Sequence, residues 1–263
     1  MTILIDAGNT RVKLGWVDAG GAREPQVAAF AHDELESSLP AWLAAQPASH
    51  ANAIGVNVAG DTVGSRIAQL LQAAGCGVTW LGATAQALGL SNGYARPGQL
   101  GTDRWVGMLG LWAHPRHQPP EGPARTQILA SFGTATTIDT ISPEGRFEGG
   151  VILPGLRLML TSLVTGTANL PLAGGSSAAF PSDTHQAIAT GALAAQAGAV
   201  LRQMLMARER FADAPLRLAV TGGAWPDVQP ELCRLLAQAR LETQPWIMDN
   251  PVLDGLAMLA TRA

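Results

Sequence analysis

Four short strings carry the side chains best suited to chemistry. The first is Asp6-Ala7-Gly8-Asn9-Thr10, followed by Arg11, Val12 and Lys13. A glycine lets backbone N–H groups approach phosphate oxygens closely, and a turn of this kind can form an anion nest. Asp6 adds a carboxylate at a strand end, suited to hydrated Mg²⁺. Asn9 and Thr10 add neutral donors, and Lys13 adds a cation. The second string, Ser131-Phe132-Gly133-Thr134, is a similar glycine turn. Asn and Gly are also common in plain hairpin turns, but the recurrence of the turn in both halves favours phosphate. The third string, Thr221-Gly222-Gly223, closes an apolar run and suits close backbone approach to a base or ribose. The fourth, Gly101-Thr102-Asp103-Arg104, opens a helical pattern. Thr102 or Asp103 could simply cap that helix. The functional alternative makes Asp103 a general base and Arg104 an anion clamp.

The elements around these strings follow from apolar patterning. Ile3 to Ile5 reads as a strand entering the first turn. Arg11 to Val17 alternates, with Val12, Leu14 and Trp16 on one face and Arg11 and Lys13 on the other. Val27 to Phe30 would complete an antiparallel meander. Helix 34–45, strand 54–58, a helix from Asp61 or Thr62 to Ala74 and strand 78–81 follow, then a glycine-rich loop over 89–101 and a helix from Thr102 to Trp112. The segment 114–125, HPRHQPPEGPAR, holds four prolines and reads as the interdomain connection. After it the pattern restarts: strand 128–130, glycine turn, strand 136–141, turn, strand 147–153. Aligning DAGNT with SFGTA indicates an internal duplication. Helices over 155–163 and 184–208, strand 216–220, helix 228–239, strand 242–247 and helix 253–259 complete the reading. The domains are expected at 1–115 and 116–263, with the last helix free to pack on the first domain.

Composition removes several function classes. Only 14% of the 263 residues are charged, against about 25% in an ordinary soluble domain. Of 17 basic residues one is a lysine, Lys13, which follows Val12. A Walker A loop and a penicillin-binding set are therefore excluded, and a protein-kinase set fails because no G-x-G-x-x-G precedes Lys13. Net charge is -3, so no basic field points to nucleic acid or anionic membrane. No apolar run reaches the roughly 18 residues of a membrane span, and MTILIDAGNT is not a signal peptide. Cys76 and Cys233 match no disulfide or metal framework, which suits a reduced, cytoplasmic compartment. His114-x-x-His117 lacks a third ligand, and His32 and His50 read as surface positions.

The ordered set DAGNTRVK (6–13), GTDR (101–104), FGTATTID (132–139), GGVILPG (149–155), SDT (182–184), TGG (221–223) and LDGL (253–256) resembles type III pantothenate kinases, within the acetate and sugar kinase/Hsc70/actin superfamily. The likeness spans essentially the whole chain. It implies an α/β fold of two duplicated ribonuclease-H-like (actin-like ATPase) domains with the active site in the cleft, assembled as a homodimer. It implies ATP-dependent phosphorylation of pantothenate, the first step of coenzyme A biosynthesis, with ATP, Mg²⁺ and a monovalent cation.

Carried over position by position, Asp6, Ala7, Gly8, Asn9, Thr10, Arg11, Val12 and Lys13 would form the first phosphate loop, with Asp6 placing Mg²⁺ through water. Gly133 and Thr134 would belong to the second loop, and Gly222 and Gly223 would face adenosine. Tyr94, Gly101, Thr102, Asp103, Arg104 and Thr184 would bind pantothenate, Thr184 from across a dimer interface. One position departs from the family: Ser131 stands where the second turn usually begins with an aspartate. A hydroxyl cannot balance K⁺ or NH₄⁺ as a carboxylate does. Two rivals share the turns: a non-catalytic, nucleotide-binding regulator (a transcriptional accessory protein), and a sugar or acetate kinase. The retained Asp103 argues against the first, and GTDR with Thr184 against the second.

Overall fold

The computed structural model of the chain describes residues 1–46, 52–114, 124–241 and 243–262. His50, His117 and most of the proline-rich segment lie outside the described residues. The chain divides into two compact units, Met1–Pro120 with Asn250–Ala263, and Glu121–Asp249.

In the first unit, β1 (Thr2–Ala7), β2 (Arg11–Val17) and β3 (Ala28–Ala31) form the expected meander. A 3-10 turn (His32–Glu34), α1 (Leu35–Ala44), β4 (Asn52–Asn57), α2 (Asp61–Ala73) and β5 (Gly77–Trp80) follow. The sheet order is β3-β2-β1-β4-β5, with β1 antiparallel to β2 and parallel to β4. The glycine-rich stretch is not all loop. It holds β7 (Leu90–Asn92), which forms a small hairpin with β6 (Gln86–Ala87) just before it, and a 3-10 turn at Pro97–Gln99 before α3 (Thr102–Trp112). Strands of two and three residues are too short to show a period, so they leave no signal in the apolar pattern.

Strand alternation explains where the core sits. Ile3, Ile5 and Ala7 enter a cluster with Val12, Leu14, Leu35, Leu39, Ile67 and Leu71. Successive strand residues face opposite ways, so Leu4 and Asp6 look to the other side of the sheet. Each fully buried leucine or isoleucine here contributes about 1.5–3 kcal/mol.

The second unit repeats the plan. Strands β8 (Thr126–Phe132), β9 (Ala135–Ile141) and β10 (Arg146–Pro154) form a meander, followed by α4 (Leu156–Gly166), α5 (Thr184–Arg210), β11 (Leu216–Thr221), α6 (Trp225–Gln238) and β12 (Trp246–Ile247). Within this unit the order is β12-β11-β8-β9-β10, with β8 antiparallel to β9 and parallel to β11. Numbered from each unit's first strand, both sheets read 3-2-1-4-5 with the same directions. The core joins Ile128, Ala130 and Ile138 to Ala192, Ala197, Val200 and Leu232.

The last helix, α7 (Pro251–Ala260), clusters with the first unit and crosses α3. Small residues allow it: a Cβ on Gly110 would lie 2.0 Å from the Pro251 carbonyl oxygen, and one on Gly255 2.1 Å from that of Val106. Asp254 lies in the first turn of α7, whose N-cap is Asn250. It takes a 2.6 Å ion pair from Arg23. A Cβ on Gly15, which stands opposite Leu4, would meet Leu253 of α7 at 3.4 Å. The sheet face that carries Leu4 and Asp6 is thus the face toward α7.

Candidate active site

The first turn builds an acid–base pair by register. Four residues, Gly8 to Arg11, separate the last antiparallel rung, Ala7 opposite Val12, and the Gly8 N–H donates to the Arg11 carbonyl at 3.1 Å. The next rung sets Asp6 opposite Lys13. Directly opposed side chains share a face, so the lone lysine of the chain is placed beside the carboxylate. Lys13 is half-buried whereas Arg11 is exposed. Burial pushes the Asp6 carboxyl up from 3.8 to about 6; Lys13 pulls it down, and the charge of Asp103 pushes it up. The action of Asp103 on Asp6 brings the DAGNT and GTDR strings, almost a hundred residues apart, near one another.

Asp103 stands in the first turn of α3, whose N-cap is Gly101. Its Oδ1 accepts from the Arg104 N–H at 2.8 Å. A Cβ on Gly101 would sit 2.9 Å from that oxygen, so glycine there leaves room for the carboxylate. Neither Thr102 nor Asp103 is the cap. Arg104 is buried, and its Nη1 donates to the Tyr94 hydroxyl at 3.4 Å. Tyr94 and Arg104 therefore form a polar pair beside the acid.

One support of the first turn escaped the sequence reading. His32, expected at the surface, is half-buried, and its Nε2 lies 2.9 Å from the Gly8 carbonyl oxygen. A carbonyl only accepts, so Nε2 carries the proton. No local pattern marks a histidine for such a contact.

The second turn is similar but not identical. The Gly133 N–H donates to Ala135 at 3.1 Å, and only three residues separate the closing rung, Phe132 opposite Thr136. The turn is one residue shorter than the first, so Thr137, not a cation, stands opposite Ser131. Thr221 pairs with Ser131 on the other side. Three hydroxyl residues thus lie in one row where the first unit has an acid and a lysine. Asp139 is buried two residues farther along β9, opposite Leu129.

The TGG string meets this turn directly. Gly222 has φ +101°, and a Cβ there would fall 2.3 Å from the Phe132 carbonyl oxygen. The rings of Phe132 and Trp225 stack at 5.8 Å. No protein atom would touch a Cβ on Gly223 within 4 Å, so the surface beside it is open. Thr184 lies elsewhere in this unit, exposed at the start of α5, on a groove of about 520 Å³ lined by Met159, Leu163 and Ile188. Among the described residues no cluster of three or more His, Cys, Asp or Glu could hold a metal ion. No described helix is long and apolar enough to cross a membrane.

Two 3-2-1-4-5 sheets, each with a glycine turn between its first two strands, define an actin-like ATPase fold. Solved structures share it. A protein described as a Baf family transcriptional activator, from Campylobacter jejuni, matches with TM-score 0.57 at 17% identity over 99% of this chain and 98% of its own. One described as a 2-dehydro-3-deoxygalactonokinase, from Sinorhizobium meliloti, matches with TM-score 0.54 at 18% identity, covering 100% and 99%. These likenesses show the fold alone. The chain belongs to the type III pantothenate kinase family, whose model matches residues 2–206. The type III pantothenate kinase of Bordetella pertussis is 50% identical over 270 residues, 100% of this chain and 98% of the relative. That of Bordetella petrii is 51% identical over 267 residues, again 100% and 98%.

Proposed function

We propose that the chain transfers the γ-phosphoryl group of ATP to the primary hydroxyl of pantothenate, with Asp103 as the base. The substrate oxygen attacks the γ-phosphorus as its proton passes to Asp103. The bond from γ-phosphorus to the β,γ-bridging oxygen breaks, giving 4'-phosphopantothenate and ADP. The supporting observation is that the charge of Asp103 acts on the buried Asp6 carboxyl, which sets the strand-end acid of the phosphate turn near the helix-start acid of GTDR. Positioning and charge neutralisation then supply much of the rate.

The chain's own groups divide the work. Ala7 to Thr10, with Gly133 and Thr134, present backbone and hydroxyl donors to phosphates. Gly222 and Gly223 would face adenosine, with the surface beside Gly223 open. Tyr94, Thr102 and Arg104 hold pantothenate, and Thr184 contributes to it from a partner copy in a homodimer. Asp6 suits a hydrated Mg²⁺, because a desolvated carboxylate near a second acid is relieved by a cation. Bound there, the ion would neutralise phosphate charge.

Lys13 is the cation of the first turn. Lys13→Ala is expected to raise the KM for ATP about tenfold, the effect of one charge-assisted hydrogen bond of roughly 1.5 kcal/mol or more. Arg11→Ala, at an exposed position, should change it little. Equal small effects in steady-state kinetics would return Lys13 to a surface role.

The test of the whole reading is ADP release by purified protein, which should require both ATP and pantothenate. Nucleotide binding without turnover would support a regulator, and turnover on acetate or a sugar a different kinase. Run with and without K⁺ or NH₄⁺, the assay should show no absolute requirement for either ion. A hydroxyl row around Ser131 offers a cation no balancing charge. Operation in the cytoplasm fits the free thiols of Cys76 and Cys233.

A further inference from the structure

Helix α5 is rich in alanine, and its buried face reads Ile188, Ala189, Ala192, Leu193, Gln196, Ala197, Val200, Met204 and Ala207. Gln196 is the one polar member, and it is fully buried. A buried amide costs free energy unless its hydrogen bonds are made. An apolar residue of similar volume would suit this core as well. The amide therefore calls for another reason, and its partners supply one. Gln196 Oε1 accepts from the Thr136 hydroxyl at 2.6 Å, and Nε2 donates to the Pro154 carbonyl at 2.8 Å. A carbonyl only accepts, which fixes the amide's orientation and makes Thr136 the donor on the other side.

Both partners flank the second glycine turn. Thr136 forms the rung that closes it, opposite Phe132. Pro154 pairs with Ala135 and precedes Gly155, whose N–H donates to the Thr134 carbonyl at 3.0 Å. The contact is close: a Cβ on Gly155 would fall 2.2 Å from the Gly133 carbonyl oxygen. Gln196 thus ties together the strand that leaves the turn and the segment that presses on it.

We infer that Gln196 is a positioning residue, which holds the Gly133–Thr134 turn in one conformation for a nucleotide phosphate. The inference rests on the kinase reading for the identity of that phosphate. Its test uses the full-length protein with Gln196→Met, Thr136→Val and Thr136→Ser. Three quantities are measured: the Kd of a non-hydrolysable ATP analogue by calorimetry without pantothenate, the KM for each substrate, and Tm.

Gln196→Met and Thr136→Val should each raise the analogue Kd and the KM for ATP roughly tenfold, with the KM for pantothenate within about twofold of wild type. Thr136→Ser keeps the hydroxyl and should stay near wild type. The double variant should be no worse than the weaker-binding single, since both remove one linkage. An unchanged analogue Kd in both variants overturns the inference. So does a parallel rise in both KM values with a fall in Tm, which would make Gln196 a merely structural residue. If Gln196→Met does not fold, Thr136→Val against Thr136→Ser decides in the same way. A wild-type protein that binds the analogue but does not phosphorylate pantothenate defeats the kinase reading alone, and the Kd comparison still decides the role of Gln196.

Discussion

Asp103→Asn should leave a folded protein whose kcat on pantothenate is lower by a factor of about 10²–10⁴, the usual contribution of a general base. Asparagine keeps the size of the side chain. Its Oδ1 can still accept from the Arg104 N–H, as Asp103 does at 2.8 Å, and Gly101 still leaves it room. The start of α3 therefore survives, and the loss falls on the proton acceptor. Pantothenate binding, measured by calorimetry, should change far less than kcat, because the Arg104 and Tyr94 pair is untouched. A kcat near wild type would assign the proton to another group.

Asp6→Asn should have opposite effects on activity and on stability. On the proposed reading Asp6 would hold the hydrated Mg²⁺, so without its carboxylate turnover should fall roughly 10²-fold or more, as for the loss of one preorganised electrostatic group. The stability effect follows from the raised pKa. The Asp6 carboxyl titrates near 6 in the fold instead of 3.8, so the folded state disfavours its ionised form. That cost is absent below about pH 4 and complete above about pH 6; Asp6's contribution to stability thus falls as pH rises through this window. At most it amounts to about 3 kcal/mol, at 1.36 kcal/mol per pH unit. The asparagine side chain carries no charge to desolvate. Thermal melts of the metal-free variant should therefore coincide with wild type near pH 4 and lie several degrees higher at pH 8. Equal melts at pH 8 would mean that the Asp6 carboxylate is well solvated. The pairing of lost activity with gained stability is expected where a site holds charge for function.

The two glycine turns, GTDR and TGG were legible because each is contiguous. Their chemistry depends on residue types within a few positions of one another, and glycine, acid and strand-end signals act locally. The duplication was legible for the same reason. Other parts of the site were not. That the second turn is one residue shorter, so that Ser131 faces Thr137, depends on strand register. The alignment of DAGNT with SFGTA does not contain it. His32 under the first turn and Gln196 beside the second are supports drawn from distant elements. In the sequence they look like a surface histidine and one polar residue in an alanine-rich helix.

Taken alone, the sequence determined the chemistry available: which backbone turns can approach phosphate, which side chain can accept a proton, and that a single lysine is present. It also determined the class of fold, since strand, turn and helix signals repeat in order. Only the tertiary structure decided which of these groups work on one another. Asp6 meets Lys13 through antiparallel register and feels Asp103 through the burial of that sheet face. The Asp6 carboxyl rises to about 6 only because the fold removes it from water. Propensity acts over a few residues, whereas burial and charge act over a few ångströms, and the chain brings those ångströms together from positions almost a hundred residues apart.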